Sequence, residues 1–256
     1  MNYVTRAFIN IATLVVVLAV NILANALPIN NLTTAEISDS FPTLFTPPGY
    51  VFSIWGLIYL LLIGFTVYQA LPSQANNKHV EKVSYYFALS NILNSIWIFT
   101  WHYELLSLSL LLTVGLLISL AIIYSRLRTA GESLTAADRF LVRLPFSIYL
   151  AWASVATIAN TAVLLYSINW SGWGISPAVW TVIMIYVGAA LAIYYGIVRK
   201  DGYFALVFIW AFTGIAVGQS SITAISINAW IASGLVLLTA IYALTASQKG
   251  KTISST

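Results

Sequence analysis

The chain has 256 residues, of which 60% are hydrophobic and only 7% are charged, with a formal net charge of +4. A soluble domain carries about 25% charged residues, so this chain cannot cover itself with a surface suited to water, and lipid is the solvent that it fits. The lack of cysteine excludes disulfides, iron–sulfur clusters and thiol chemistry.

Eight apolar runs follow one another along the chain, each about 20 residues long, which is the length at which a helix crosses the hydrocarbon core. Within them, Arg143 at the start of the fifth is the single Lys, Arg, Asp or Glu. No alternation of period two is present, which argues against a transmembrane β-barrel. The runs lie at 7–27, 50–70, 84–102, 105–125, 143–167, 177–198, 203–220 and 227–246. We therefore predict an all-α, polytopic membrane helix bundle with about eight transmembrane helices.

The basic residues indicate how these helices are oriented. All 11 lysines and arginines fall on the side of the membrane that carries the N-terminus. The connections on the other side, at 28–49, 103–104, 168–176 and 221–226, contain none. By the positive-inside rule, we expect a multi-pass protein of the cytoplasmic (inner) membrane with both termini in the cytoplasm. The eleven are Arg6, Lys78, Lys82, Arg126, Arg128, Arg139, Arg143, Arg199, Lys200, Lys249 and Lys251.

The first run has an alternative interpretation. Arg6, the apolar stretch and Ala24-Asn25-Ala26 resemble a cleavable signal peptide. We prefer a transmembrane helix, because the segment before the run is weakly charged and the run is long for a signal.

The longest connection, 28–49, joins the first two runs and contains Glu36 and Asp39. It ends at Pro47-Pro48-Gly49, where proline interrupts helix and forces an extended entry into the second run. Loops of more than about 12–15 residues in compact proteins are usually functional or disordered. The segment is therefore interpreted either as a tether or as a lid.

Parts for enzymatic chemistry are lacking inside the runs. There is no carboxylate pair, no cluster with metal-ligand spacing and no glycine-rich phosphate loop, so no catalytic or metal-binding residue is assigned. The runs offer amides and aromatic rings at helical spacing instead: Trp55 and Tyr59, then Asn91, Asn94 and Trp97, then Trp152 and Asn160. Such amides either join helices by hydrogen bonds or, together with the rings, line a pocket for a large, flat, mostly apolar ligand.

Three blocks at these residues resemble the TspO/MBR family of tryptophan-rich sensory proteins, to which the translocator protein (peripheral benzodiazepine receptor) belongs. The blocks are PPGYVFSIWGLIY at 47–59, NSIWIF at 94–99 and YLAWASVATIAN at 149–160. They occur in the family's order and on helices two, three and five. The resemblance covers residues 7–168, so we expect a TspO-like five-helix unit at 1–168 and an additional three-helix membrane extension at 169–256.

The resemblance implies a five-helix bundle with a pocket beneath the loop joining its first two helices. The family binds porphyrins, haem-type tetrapyrroles and, in some members, sterols, and light-dependent porphyrin degradation has been proposed for it. It implies that Trp55, Trp97 and Trp152 form ring-contacting walls and that Asn94 is a polar contact. Tyr50, with 28–49, would form the lid. The expected ligand-binding residues are Tyr50, Trp55, Tyr59, Asn94, Trp97, Trp152, Ala156 and Asn160.

Several positions depart from the family pattern. The proline just before Trp55 is missing, Ser90 stands where the family usually has glutamine, and Ile148 replaces the proline before Tyr149. A pocket in this chain is therefore expected to have its own shape.

Three functions are compatible with the sequence. The leading one is a membrane receptor or sensor that binds a porphyrin or a haem-type ligand. The alternatives are a transporter of an apolar or aromatic solute, with the small polar stretch 213–221 lining a path, and a scaffold that docks partners on its last three helices. The lipid bilayer and a flat apolar small molecule are the expected partners, without nucleic acid, in a monomer or a homodimer.

Overall fold

The computed structural model of the chain describes residues 2–27, 29–128 and 134–252. All regular secondary structure within these ranges is helical. The helices are α1 (Tyr3–Ala26), α2 (Thr34–Ser40), α3 (Ile54–Ala70), α4 (Lys78–His102), α5 (Leu106–Leu127), α6 (Ala136–Asp138), α7 (Leu144–Ser167), α8 (Pro177–Val198), α9 (Gly202–Gly218) and α10 (Thr223–Thr252). A π-helical turn, Arg139–Arg143, connects α6 to α7.

The predicted architecture of a polytopic helix bundle is confirmed, because an α-helix occupies most of each of the eight apolar runs. Six segments are long and apolar enough to cross a membrane, and they contain α1, α3, α5, α7, α8 and α10. Of the other two helices, α9 is apolar but has 17 residues. The helix α4 starts at Lys78, six residues before the predicted run, and Ser84 (φ 50°, ψ −142°) separates this polar beginning from the apolar part.

The chain forms two compact units. The first comprises Met1–Ser40 and Phe52–Ala153, and the second comprises Phe41–Val51 and Ser154–Thr256. The first unit therefore contains α1 to α6 and the first residues of α7. The second contains the rest of α7, the helices α8 to α10 and the end of the long connection between α1 and α3.

Buried amides and phenylalanines hold the first unit together. Asn10 on α1 donates to Gln69 Oε1 on α3 (2.8 Å), and Asn91 on α4 donates to Thr13 Oγ1 (3.3 Å). Amides in hydrocarbon are costly unless they pair across helices, which explains why these side chains face inward. Since α1 packs in this way, it is an integral helix of the unit. A compact core of edge-to-face rings, 5.0–5.7 Å apart, consists of Phe65, Phe87 and Phe146.

A buried carboxylate, Asp138, joins three elements at one end of the first unit. Its Oδ1 accepts from the Tyr68 hydroxyl at the end of α3 (3.1 Å) and from Asn77 Nδ2 at the start of α4 (2.7 Å). Its Oδ2 accepts from Thr135 Oγ1 (2.6 Å), and the Asp138 amide donates back to that hydroxyl (3.0 Å) in a capping box. In the sequence, the segment 126–143 is notable only for its four arginines, so the hydrogen bonds of Asp138 could not be predicted.

Arg143 forms hydrogen bonds to the end of α5. Its Nε and Nη2 donate to the Leu127 carbonyl, at 3.2 and 2.8 Å. The last carbonyls of a helix lack partners inside the helix, so this guanidinium caps α5.

The second unit packs α8, α9 and α10 against one another. Tyr195 on α8 stacks on Phe204 of α9 with ring centroids 3.9 Å apart, and Ser226 on α10 donates to the Ala216 carbonyl (2.8 Å). In the connection before α8, Trp170 and Trp173 meet Trp180 in a cluster with centroids 5.3–6.0 Å apart. Such a cluster suits the headgroup region of a bilayer.

Candidate functional site

An aromatic cluster in the first unit forms around Trp55, a half-buried residue in the first turn of α3. Its indole stacks on Tyr59 (centroids 5.5 Å, planes 19° apart) and lies 6.3 Å from Trp97 on α4. It meets Tyr149 and Trp152 of α7 edge to face, at 5.7 and 6.4 Å. Edge-to-face and stacked pairs each contribute about 0.5–1.5 kcal/mol beyond burial. The structure therefore brings together at least one aromatic ring from each of the three sequence blocks.

Asn94 connects the cluster to three helices. Its Oδ1 accepts from Asn21 Nδ2 on α1 (2.9 Å) and from the Tyr59 hydroxyl on α3 (3.4 Å). Its Nδ2 donates to the Tyr149 hydroxyl on α7 (3.1 Å). Asn94 is fully buried, and these contacts fit the interhelical interpretation of the amide. The direct effect of Asn94 is therefore to orient the rings of Tyr59 and Tyr149.

Trp152 differs from the other members of the cluster. Its side chain is 2% exposed and packs edge to face on Phe52 at 5.9 Å as well as on Trp55. Its Nε1–H is buried and has no hydrogen-bond partner among the described residues. Nearly all buried donors in proteins are paired, so this unpaired indole N–H is an exception at the centre of the aromatic cluster.

The other expected site residues belong to the second unit. Tyr50 is about half exposed and contacts Trp210 of α9 edge to face, at 5.9 Å. Asn160 donates to the Ala156 carbonyl one turn earlier in α7 (3.2 Å). Ser90, at the position where the family usually has glutamine, lies in the first unit and donates to the Phe87 carbonyl (2.7 Å).

The first half of the long connection is anchored to the end of α4. Asn30 Nδ2 donates to the His102 carbonyl (3.1 Å), and Trp101 Nε1 donates to the Thr34 carbonyl (3.2 Å). At the start of α2, Glu36 accepts from the amide of Thr33 (2.7 Å) and from its hydroxyl (2.8 Å). These bonds, the backbone one first, hold the pKa of the Glu36 carboxyl below its ordinary value.

The second half of the connection, 41–51, docks on α9. Trp210 Nε1 donates to the Val51 carbonyl (3.0 Å). One turn further along α9, a Cβ on Gly214 would overlap Val51 Cγ2. After a second turn, a Cβ on Gly218 would lie 2.7 Å from Pro48 Cγ. The two glycines thus form a groove on α9 in which Pro48 and Val51 pack. The groove is open only because neither position has a side chain. The small-residue stretch 213–221 is used for close packing at both of these positions.

Sequence reasoning missed three contributors to the cluster: Asn21, Phe52 and Tyr149. Asn21 had a signal, because it is one of three asparagines in a mostly apolar run. Phe52 and Tyr149 lie inside the quoted blocks but were not assigned a role. Leu191, Tyr194 and Arg199 match a short sterol-binding motif, which we interpret as a chance match. In the structure the Arg199 guanidinium lies 5.9 Å from the centroid of the Tyr194 ring.

The fold is a multi-pass helix bundle, and its first unit contains a buried cluster of indoles and amides. The protein therefore falls in the class of membrane proteins with an aromatic interhelical site. The family model described as TSPO-like protein matches residues 7–242. The chain therefore belongs to the TSPO-like family. No curated protein and no solved structure matches the chain. Because the family match continues through α8, α9 and most of α10, and the compact units divide the chain elsewhere, the boundary at residue 168 stays a prediction.

Proposed function

We propose that this protein is an integral membrane receptor or sensor that binds a tetrapyrrole through the cluster around Trp55. Membership of the TSPO-like family supports a ligand of this class. The single observation that carries the proposal is the buried, unpaired Nε1–H of Trp152 beside the ring of Trp55. A flat macrocycle offers both an apolar face for the indoles and an acceptor, such as a propionate oxygen, for this donor.

In this proposal, Trp55, Trp97 and Trp152 contact the macrocycle, and Asn94 with Tyr59 keeps the rings in place. The assignment of Tyr50, Ala156 and Asn160 to the ligand, and of the connection 28–49 to a lid, rests on the family blocks alone. The helices lie in the cytoplasmic membrane with both termini in the cytoplasm. Binding needs no catalytic residue. Light-dependent porphyrin degradation at Trp55 and Trp152 would be an additional activity and does not form part of this proposal.

The test is a titration of the purified protein in nanodiscs with protoporphyrin IX. Binding is measured from the absorbance of the porphyrin, because this signal does not depend on the number of tryptophans in the variant. Trp152→Phe keeps an aromatic ring and removes the N–H. Trp230→Phe is the matched control, because Trp230 is half exposed on α10. A hydrogen bond contributes about 0.5–1.5 kcal/mol, so we expect Trp152→Phe to weaken binding roughly two- to tenfold and Trp230→Phe to leave it unchanged.

Saturation near one porphyrin per chain with this difference between the variants supports the proposal. Non-saturating binding, or equal affinities in all three proteins, refutes it. Transport then becomes the first alternative to test, by flux into proteoliposomes, and a scaffold function the second, by a partner that copurifies.

A further inference from the structure

Arg6 lies in the first turn of α1, and its side chain is buried although the residue precedes the apolar run in the sequence. It is 4% exposed, and its Nε and Nη2 are buried without a hydrogen-bond partner among the described residues. These two nitrogens form the edge of the guanidinium that binds a carboxylate or a phosphate through two parallel hydrogen bonds. The edge best suited to an oxyanion is therefore the edge that the protein leaves unpaired.

The surroundings of Arg6 can be placed from two hydrogen bonds. Tyr3, Arg6 and Asn10 share one face of α1, since they lie three and four residues apart. The hydroxyl of Tyr3 donates to the Ala70 carbonyl, and Asn10 donates to Gln69. Arg6, between them on this face, therefore faces the end of α3.

No counter-charge comes from α1 or α3, because neither helix contains aspartate or glutamate. The helix α4, which also packs against α1, carries Glu81 in its first turn, but that side chain is exposed. An arginine stays protonated inside proteins. It also lies in the first turn of its helix, where the dipole is unfavourable for a cation. A buried cation without a counter-ion is costly, so the position indicates that an anion from outside the chain balances it.

A second unpaired donor belongs to Gln69, at the end of α3 that Arg6 faces. The Oε1 of Gln69 accepts from Asn10, but the Gln69 Nε2 is buried and has no partner in the part of the chain that the structure describes. Three N–H-bearing atoms, Arg6 Nε, Arg6 Nη2 and Gln69 Nε2, are thus unpaired at the junction of the two helices. A set composed of donors selects an acceptor with several oxygens and a negative charge.

We propose that the start of α1 and the end of α3 bind a phosphate-type oxyanion, held by the Nε/Nη2 edge of Arg6 and by the Gln69 amide. Asn2 is exposed and Tyr3 is half-buried, so the site is about one helical turn from the surface. The oxyanion is either the headgroup of an anionic phospholipid or a free phosphate. Arg6 precedes Asn21 by 15 residues, about 22 Å along α1, which separates this site from the Trp55 cluster.

The experiment uses the full chain, delipidated in a maltoside detergent, and measures thermal stability and bound mass by native mass spectrometry. One arm titrates sodium phosphate against sodium chloride at equal ionic strength. The other titrates phosphatidylglycerol against phosphatidylcholine. The variants are Arg6→Gln, Arg6→Lys and, as a control with the same change of charge, Lys78→Gln, because Lys78 is exposed.

We expect the wild type and Lys78→Gln to be stabilised and Arg6→Gln to bind about tenfold more weakly or not at all, since a charged hydrogen bond pair is lost. Stabilisation by both ligands identifies a site for free phosphate, and stabilisation by phosphatidylglycerol alone identifies a lipid headgroup site. No binding by the wild type, or equal binding by Arg6→Gln, overturns the proposal.

If Arg6→Gln does not fold, Arg6→Lys decides. It keeps the charge but lacks the two-nitrogen edge, so weaker binding than in the wild type supports the proposal and equal binding overturns it. The test involves no porphyrin, so its outcome does not depend on the proposed function.

Discussion

Gly218→Ala tests whether the glycine groove of α9 holds the segment 41–51. The added Cβ would lie 2.7 Å from Cγ and 2.9 Å from Cδ of Pro48. Both atoms belong to a proline ring that has little freedom to move. Adding a methyl group to a packed contact costs about 1–3 kcal/mol. If this cost falls on the docked state alone, the equilibrium for opening of 41–51 rises roughly five- to 150-fold.

The assay is hydrogen–deuterium exchange of the peptide that contains 41–51. Exchange of a protected amide follows the local opening equilibrium, and the Val51 amide is protected by a bond to the Pro48 carbonyl (2.9 Å). The control is Gly234→Ala on α10, where a Cβ would meet nothing within 4 Å. It introduces the same methyl group into a helix of the same unit. We expect faster exchange at 41–51 in Gly218→Ala and wild-type exchange in Gly234→Ala.

Equal exchange of 41–51 in both variants would refute the reasoning, because Pro48 would then not depend on the open groove. Trp210→Phe provides a second readout. This variant keeps an aromatic ring next to Tyr50 and removes the hydrogen bond to the Val51 carbonyl. The free energy of opening of 41–51 should therefore fall by about 1 kcal/mol, and amide exchange in this segment should become faster.

Three further predictions concern the first unit. Asp138→Ala should lower the free energy of unfolding by about 1–3 kcal/mol, since it leaves the buried Tyr68 hydroxyl without an acceptor and removes one of the two bonds that the Asn77 amide donates. The exposed Asp39→Ala should change the melting temperature little, and an equal loss in both variants would contradict this account. Asn94→Leu should cost about 1–2 kcal/mol, seen by thermal unfolding in detergent, and an unchanged melting temperature would show that the amide does not join the helices. Because hydrogen bonds lower the Glu36 pKa, they stabilise α2 above the pKa of the unfolded chain, and this stability is lost as the pH falls through the lower pKa of the folded state. Exchange at α2 between pH 7 and 3 should show the loss, and Glu36→Gln should remove the pH dependence.

Much of the helical architecture could be predicted because lipid imposes it. A segment that crosses the membrane must satisfy its backbone within one helix and be apolar over about 20 residues, and both requirements are visible as local patterns. The grouping of Trp55, Tyr59, Asn94, Trp97 and Trp152 was also predictable, since spacing within each helix places them on common faces and the family blocks indicate which faces meet. The start of α1 was not predictable, because its first turn is polar; the prediction began at residue 7, whereas Tyr3 begins the helix and Arg6 is buried within it.

The tertiary structure alone decided how polar groups pair. Asp138 became the acceptor that joins α3, α4 and α6, and 41–51 docked on the glycines of α9. It also left the donors of Trp152 and Arg6 without partners in the described chain. The physical reason is the range of the interactions involved. Hydropathy and helical period act over neighbouring residues and can be read along the chain. A hydrogen bond or a steric fit joins residues that are distant in sequence, and it exists only once the helices have packed.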